Sequence, residues 1–197
     1  MNRPIESKVV VDRVLVREVK KLQKFAAKKH DNRFYLEHVI YSPSDCCFKV
    51  TDAKALVQIK CDNYFIKSIG LFETDSDKNV YIISEDMLLF RDGDGGFPVT
   101  SRVIPLDCDL QFIDTISTEG NLRVNNLSLF LNKSPIAVSY GYLDILPRGI
   151  LYKAYKHNKS KSMIILKGDS KLGEITVVLM NIKAVGVTDE VCCVNDK

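Results

Sequence analysis

The fold is decided by residues 9–61, which read VVVDRVLVREVKKLQKFAAKKHDNRFYLEHVIYSPSDCCFKVTDAKALVQIKC. The pattern predicts a strand, a helix and then three strands, because a helical period of about 3.6 residues gives way to alternation of period two. Nearly all of the helix charge is positive and lies on one side. The segment therefore predicts a module that presents a basic helix to an anionic partner.

The two faces of this helix separate when each residue is placed about 100° further around the axis. The apolar residues within about 40° of one direction are Leu15, Val19, Leu22 and Ala26. The cations within about 40° of the opposite direction are Arg13, Arg17, Lys20, Lys24 and Lys28. Asp12 is the expected N-cap, and Glu18 is the only acid inside the helix. Two interpretations remain open, a solvated outer face and a contact surface for a polyanion.

After the helix, residues 34–41 alternate and predict a strand, with a turn at residues 42–45. A strand at residues 47–50 follows, and Thr51 and Asp52 start a tight reversal. In the next strand one face is formed by Ala55, Val57, Ile59 and Cys61. The consequence is a meander packed under the basic helix.

A similar order returns near the C-terminus. Residues 135–140 predict a strand, and residues 143–157 a helix with Asp144 near its start and Pro147 in its first turn. Residues 163–166 and 174–182 alternate as two further strands. Strand, helix, strand and strand thus recur.

Several short motifs carry a family resemblance. The first segment contains Val19-x-x-Leu22-x-x-Phe25-Ala26, a basic loop with Arg33, Leu36-x-x-Val39, and Phe48-Lys49-Val50-Thr51-Asp52. Their succession resembles the opening half-domain of bacterial sliding clamps, the β subunit of the replicative DNA polymerase. Residues 175–182, ITVVLMNI, resemble the closing strand of a clamp, although Asn181 stands where a proline is usual.

The resemblance implies an α+β fold, a DNA-clamp-like domain in which two basic helices pack on one face of curved antiparallel sheets around an elaborated β-rich centre. We expect residues 1–197 to form one such domain, with half-domains at about 8–61 and 135–183 and a central insertion at about 62–134. Within the insertion, residues 79–90 and 101–106 suggest strands. A compressed two-domain arrangement is the alternative. In the family, partner proteins dock short peptides in a hydrophobic cleft near the C-terminal end of a domain, but no residue of this sequence is assigned to that cleft.

Composition limits the class of protein. With 197 residues, 46% of them hydrophobic and 27% charged, the chain can bury a full core. No apolar run has the length of a membrane span, and the first residues lack a signal-peptide core, so we expect a cytoplasmic protein without membrane association. The net charge of +3 is small for a chain with such a basic stripe. We therefore expect segregated charge, with the outer or edge surface carrying Glu73, Asp75, Asp77, Glu85, Asp86, Asp92 and Asp94.

The sequence offers no catalytic or metal-binding pattern. None of the six cysteines forms a Cys-x-x-Cys pair, and the three histidines are scattered. The run Asp92–Gly96 departs from a calcium-binding loop, and no phosphate-binding or nucleophile-elbow motif occurs. We expect no cofactor, no metal and no enzymatic activity.

The main functional hypothesis is a DNA replication processivity factor that holds duplex DNA and works with a DNA polymerase or another replication protein. The expected phosphate contacts are Arg13, Arg17, Lys20, Lys21, Lys24 and Lys28, with Lys153, Lys156 and Lys159 as secondary contacts. A single domain of this kind cannot enclose a duplex, so a homo-oligomer is expected, paired through residues 185–194. The alternative is an interaction or assembly protein whose basic helix binds an acidic protein surface. A hydrolase or nuclease is disfavoured by the missing catalytic cluster.

Overall fold

A computed structural model describes residues 13–28, 34–42, 44–61, 80–82, 90–92, 97–119, 122–134, 136–158 and 162–181. Three helices are present in these stretches, α1 (Arg13–Gln23), α2 (Leu122–Lys133) and the short α3 (Tyr140–Asp144). The strands are β1 (Val39–Ser42), β2 (Cys47–Thr51), β3 (Ala55–Cys61), β4 (Val80–Ile82), β5 (Phe90–Asp92), β6 (Leu110–Ser117), β7 (Leu151–His157), β8 (Met163–Ser170) and β9 (Gly173–Met180).

The nine strands form one antiparallel sheet with the order β5-β4-β1-β2-β3-β9-β8-β7-β6. The meander β1-β2-β3 and the meander β7-β8-β9 meet where β3 pairs with β9 over residues 55–61 and 173–179. Each meander is preceded in the chain by a helix. The sheet order is therefore mirrored about the β3–β9 pair.

The sheet is buried on both faces, which we call inner and outer. The inner face carries alternate residues such as Val57, Ile59 and Val177, which form one cluster with the buried side chains of α1 and α2. The outer face carries Leu56 and Val178 in a second, smaller cluster. Because residues of both helices join the first cluster, α1 and α2 lie on the same face of the sheet.

The predicted meander is confirmed, and the predicted helix forms but ends at Gln23, before Lys24 and Lys28. Leu15, Val19 and Leu22 are at most 3% exposed, and every strand of the meander pairs in the expected antiparallel order. The Thr51–Asp52 reversal is held by the Asp52 carboxylate, which accepts hydrogen bonds from the backbone N–H groups of Lys54 and Ala55 at 2.9 and 2.8 Å. The predicted N-cap, Asp12, and the basic loop residue Arg33 lie outside the described residues.

The strand predicted over residues 34–41 begins later than expected. Residues Phe34–Leu36 form a 3-10 helix, and the strand starts at Val39. The Leu36 carbonyl accepts a hydrogen bond from the Ala27 N–H at 2.7 Å, so this backbone pairs with the chain that follows α1 rather than with a strand. β1 is buried on both faces, and alternation was therefore a poor guide to its start.

The predicted second helix is wrong. The end of the predicted segment, Leu151–His157, is strand β7, and the second helix is instead α2, which contains one arginine and one lysine. Gly149 adopts a φ of 75°, which breaks a helix just before β7. Within β7, Tyr152 and Ala154 are fully buried whereas Leu151 and Lys153 are exposed, the alternation of a strand. The expectation of two basic helices is therefore not met.

Other predicted strands also change. Residues 136–139 are irregular and lead into α3, so the strand expected at 135–140 is absent from them. Thr100–Arg102 form a 3-10 helix rather than a strand, because the Val103 and Ile104 N–H groups both donate to the Thr100 carbonyl. Residues 185–194 lie outside the described residues, as do most of the acids expected on the outer or edge surface.

Candidate nucleic-acid interface and outer pocket

The exposed side of α1 and the turn after it form a basic face. Its members, all exposed, are Arg13, Arg17, Lys20, Lys24 and Lys28. Arg13, Lys24 and Lys28 make no ion pair with a described residue. The opposite side of the helix is anchored by fully buried Leu15 and Leu22. Cations on such a helix cannot turn inward, so the face presents concentrated positive charge to solvent.

Glu18 changes the role expected for Lys21. The Glu18 side chain is only 2% exposed, and the Lys21 ammonium donates to its Oε1 at 2.7 Å. The Arg17 guanidinium lies 3.8 Å from the same oxygen but stays 62% exposed. Lys21 is therefore held against a buried carboxylate, and five of the six helix-segment cations predicted to contact phosphate form the basic face.

Tyr152 of β7 lies close to this buried carboxylate. Burial and the nearby negative charge of Glu18 both raise the pKa of Tyr152 above its ordinary value. The Tyr152 hydroxyl is buried and makes no hydrogen bond to any described residue. The neutral phenol and the Glu18–Lys21 pair thus lie beneath the basic face, where they fix α1 against the second meander.

Two further contacts fix the end of α1 on the sheet. The Gln23 amide donates to the Glu37 carbonyl at 2.8 Å and accepts from the Val39 N–H at 3.4 Å, which joins the helix end to the start of β1. The Phe25 ring stacks on Tyr142 of α3 with centroids 6.5 Å apart, and the Tyr142 hydroxyl donates to Asp52. These contacts attach the end of α1 to β1 and to α3.

The secondary cations do not join the basic face. Lys153 lies on β7 opposite Lys167 of β8, on the outer face of the sheet. Lys156, three residues further along β7 and paired with Ile164, belongs to the inner face and is half-buried. Lys159 lies outside the described residues.

The outer face contains a pocket that was not predicted from the sequence. Its volume is about 220 Å³, and its lining includes Tyr35, Leu36, Thr51, Ala53, Lys54, Leu56, Pro98, Val103, Val178 and Met180. The walls are largely apolar, and Lys54 is the one charged residue among them. The floor residues Leu56 and Val178 are cross-strand partners at the β3–β9 junction. No sequence signal indicates the pocket, because its lining comes from segments that are far apart in the chain.

The described stretches contain neither a metal-binding cluster nor a membrane-spanning helix. No group of three or more His, Cys, Asp or Glu residues there has an arrangement that would hold a metal ion. Within the same part of the chain, no helix combines the length and the apolarity needed to cross a membrane.

The chain resembles solved structures at low sequence identity. No protein-family model and no curated protein sequence matches it. The DNA polymerase sliding clamp from Pseudomonas aeruginosa is 12% identical with a TM-score of 0.41, over 93% of this chain and 69% of that one. The DNA polymerase sliding clamp from Bacillus subtilis is 16% identical with a TM-score of 0.38, over 92% of this chain and 51% of that one. Both of these solved structures are bacterial DNA polymerase sliding clamps.

Proposed function

We propose that the protein is a non-catalytic processivity factor that holds duplex DNA against the basic face of α1. The observation that supports this most strongly is the exposed charge of α1 and of the turn after it. Arg13, Arg17 and Lys20 lie on the helix opposite fully buried Leu15 and Leu22, and exposed Lys24 and Lys28 follow the helix end. Ammonium and guanidinium groups that meet phosphates read no base sequence. Such a surface holds DNA without selecting a site, which is what a factor that moves along a duplex requires.

The number of phosphate contacts follows from the ion pairing. Because Lys21 is held by Glu18, we take five contacts rather than six. Each contact releases a condensed counterion, so log K should fall with log salt at a slope of about −4.5. This dependence on salt separates phosphate contact from apolar docking.

The sheet supports a two-half organisation of the domain. The mirrored order about the β3–β9 pair, with α1 and α2 on one face, is the arrangement expected for half-domains related by a pseudo-twofold axis. In this proposal the second half starts at β6, ahead of the boundary expected at residue 135. The segment 62–109 then connects the halves.

Holding a duplex topologically requires several copies, because one domain forms only an arc. Among the described strands, β6 is a sheet edge that pairs on one side only, and its Phe112 is 54% exposed. An exposed edge with apolar side chains favours pairing between subunits. We propose a homo-oligomer in which β6 of one copy pairs with an edge strand of the next copy. Residues 185–194 are the proposed source of this second edge.

The outer pocket suits a short apolar segment of a replication partner. It lies on the face opposite the helices, so a docked partner would not compete with DNA for the basic face. Val103→Arg, which places a charge at the pocket wall, should abolish the binding of a panel of short apolar peptides. Val99→Arg is the control, because Val99 is 58% exposed and lies outside the lining. Equal loss in both variants would contradict the assignment.

Fluorescence anisotropy with two duplexes of unrelated sequence tests the main proposal. We expect equal affinities and the steep salt dependence given above. Light scattering coupled to size exclusion tests assembly, which should be lost when residues after 183 are deleted. No retention of either duplex at low salt would reject DNA holding and favour the alternative, in which the basic face binds an acidic protein surface.

A further inference from the structure

Three cysteines gather at the end of the β2–β3 hairpin away from the outer pocket. The β2–β3 register ends with Cys47 opposite Lys60, and Cys46 is the turn residue just before β2, with a φ of 52°. The Cys61 N–H donates to the Cys46 carbonyl at 2.9 Å, so the backbones of the two residues are in contact just beyond the ladder. All three side chains carry thiols.

The two opposed thiols also share a neighbour. Cys46 hydrogen-bonds to the hydroxyl of Tyr41, and Cys61 is near the same hydroxyl, where both thiols add to the effect of burial in raising the pKa of Tyr41. Cys47 is directed elsewhere, because its Sγ donates to the Asp45 carbonyl at 3.1 Å and accepts from the amide of Gln58. The shared Tyr41 hydroxyl therefore makes Cys46 and Cys61 the facing pair.

We propose that Cys46 and Cys61 are a thiol–disulfide exchange site. A low-molecular-weight disulfide such as oxidised glutathione oxidises the two thiols, which form an intramolecular disulfide with each other. A disulfide requires Cα atoms about 4.4–6.8 Å apart, and the backbone hydrogen bond between Cys61 and Cys46 brings the two residues into contact. This inference does not depend on the DNA-holding function.

The two thiols have different accessibility, which sets the order of the steps. Cys46 is partly exposed, whereas Cys61 is 6% exposed and burial raises the pKa of its thiol to about 12. The Cys46 thiolate attacks one sulfur of oxidised glutathione and releases one glutathione thiol. The Cys61 thiolate then attacks Cys46 Sγ and releases the second glutathione. Two protein thiols lose two electrons and two protons, and one glutathione disulfide gains them.

The disulfide would close the hairpin at the end opposite its Thr51–Asp52 reversal. A bridge across a loop of this length constrains the unfolded chain, so the oxidised protein should melt roughly 5–10 °C above the reduced protein.

Tryptic mapping of the full chain in glutathione redox buffers tests the proposal. Cleavage after Lys49 and Lys60 separates peptide 34–49, which holds Cys46 and Cys47, from peptide 61–67, which holds Cys61. We expect these two peptides to be linked in the wild-type protein and in Cys47→Ser, and unlinked in Cys46→Ser. Linkage that persists in Cys46→Ser, or a wild-type protein in which the two peptides stay unlinked in excess oxidised glutathione, would overturn the proposal.

Discussion

Removing two cations from the basic face should weaken DNA binding by a calculable amount. In the double variant Arg13→Ala/Lys24→Ala, both side chains are exposed and neither has a carboxylate partner among the described residues, so only phosphate contacts are lost. Reducing five contacts to three should change the slope of log K against log salt from about −4.5 to about −2.7. At about 0.1 M salt the affinity should fall roughly 60-fold, or about 2.4 kcal/mol.

The matched control removes the same charge from elsewhere. Lys60 and Lys171 are both exposed, and neither belongs to the basic face. Lys60→Ala/Lys171→Ala should therefore leave the slope within about one contact of the wild-type value. Anisotropy titrations across a salt series measure both variants, and circular dichroism checks that both are folded. Equal losses in the two variants would show that binding follows net charge and would refute the basic face as the interface.

Three further changes test how the interface is supported. Glu18→Gln should release Lys21 and so steepen the slope of log K against log salt by about 0.9. The same change should lower the free energy of unfolding in urea by roughly 1–2 kcal/mol. An unchanged slope would mean that Lys21 reaches phosphate already. Gly173→Ala should destabilise the fold by roughly 2–4 kcal/mol in the same assay, because its φ is 140° and a Cβ would lie 2.1 Å from a carbonyl oxygen of β3; a loss below about 0.5 kcal/mol would contradict this contact. The hydrogen bond from buried Lys49 lowers the pKa of Asp45. The stabilisation of the fold by this pair is therefore present at pH values above the ordinary pKa of 3.8, and it is lost as the pH falls through the lowered pKa. Asp45→Asn should therefore cost roughly 0.5–1 kcal/mol at neutral pH and almost nothing at pH of about 2, and an equal cost at both would contradict the ion pair.

The first meander could be predicted because its signals are local. The spacing of Leu15, Val19 and Leu22 fixes the buried side of α1 without reference to the rest of the chain. The reversal at Thr51 and Asp52 likewise depends on a side chain that bonds to its own backbone two and three residues on. Such signals survive in any tertiary context.

The second meander could not be predicted because its signals are tertiary. Apolar residues at positions 150, 151 and 154 fit a helix as well as a strand, and only the pairing of β7 with β6 on one side and β8 on the other decides between them. The left-handed Gly149 is compatible with either interpretation in the sequence alone. The assignment failed where neighbours, not propensity, set the conformation.

The candidate sites divide in the same way. The exposed cations of α1 follow from helical geometry, whereas the diversion of Lys21 depends on Glu18 being buried near Tyr152, which lies more than a hundred residues away. The outer pocket brings together residues 35–36, 51–56, 98–103 and 178–180. No spacing in the sequence indicates that these four segments meet.

Site-specific photocrosslinking tests most directly whether α1 faces DNA. A benzophenone amino acid at position 24 reports on the basic face, and the same probe at position 60 reports on the outer face, with each variant irradiated in the presence of two unrelated duplexes. The account predicts that position 24 crosslinks to both duplexes and that position 60 crosslinks to neither. Crosslinking from position 60 with none from position 24 would contradict it.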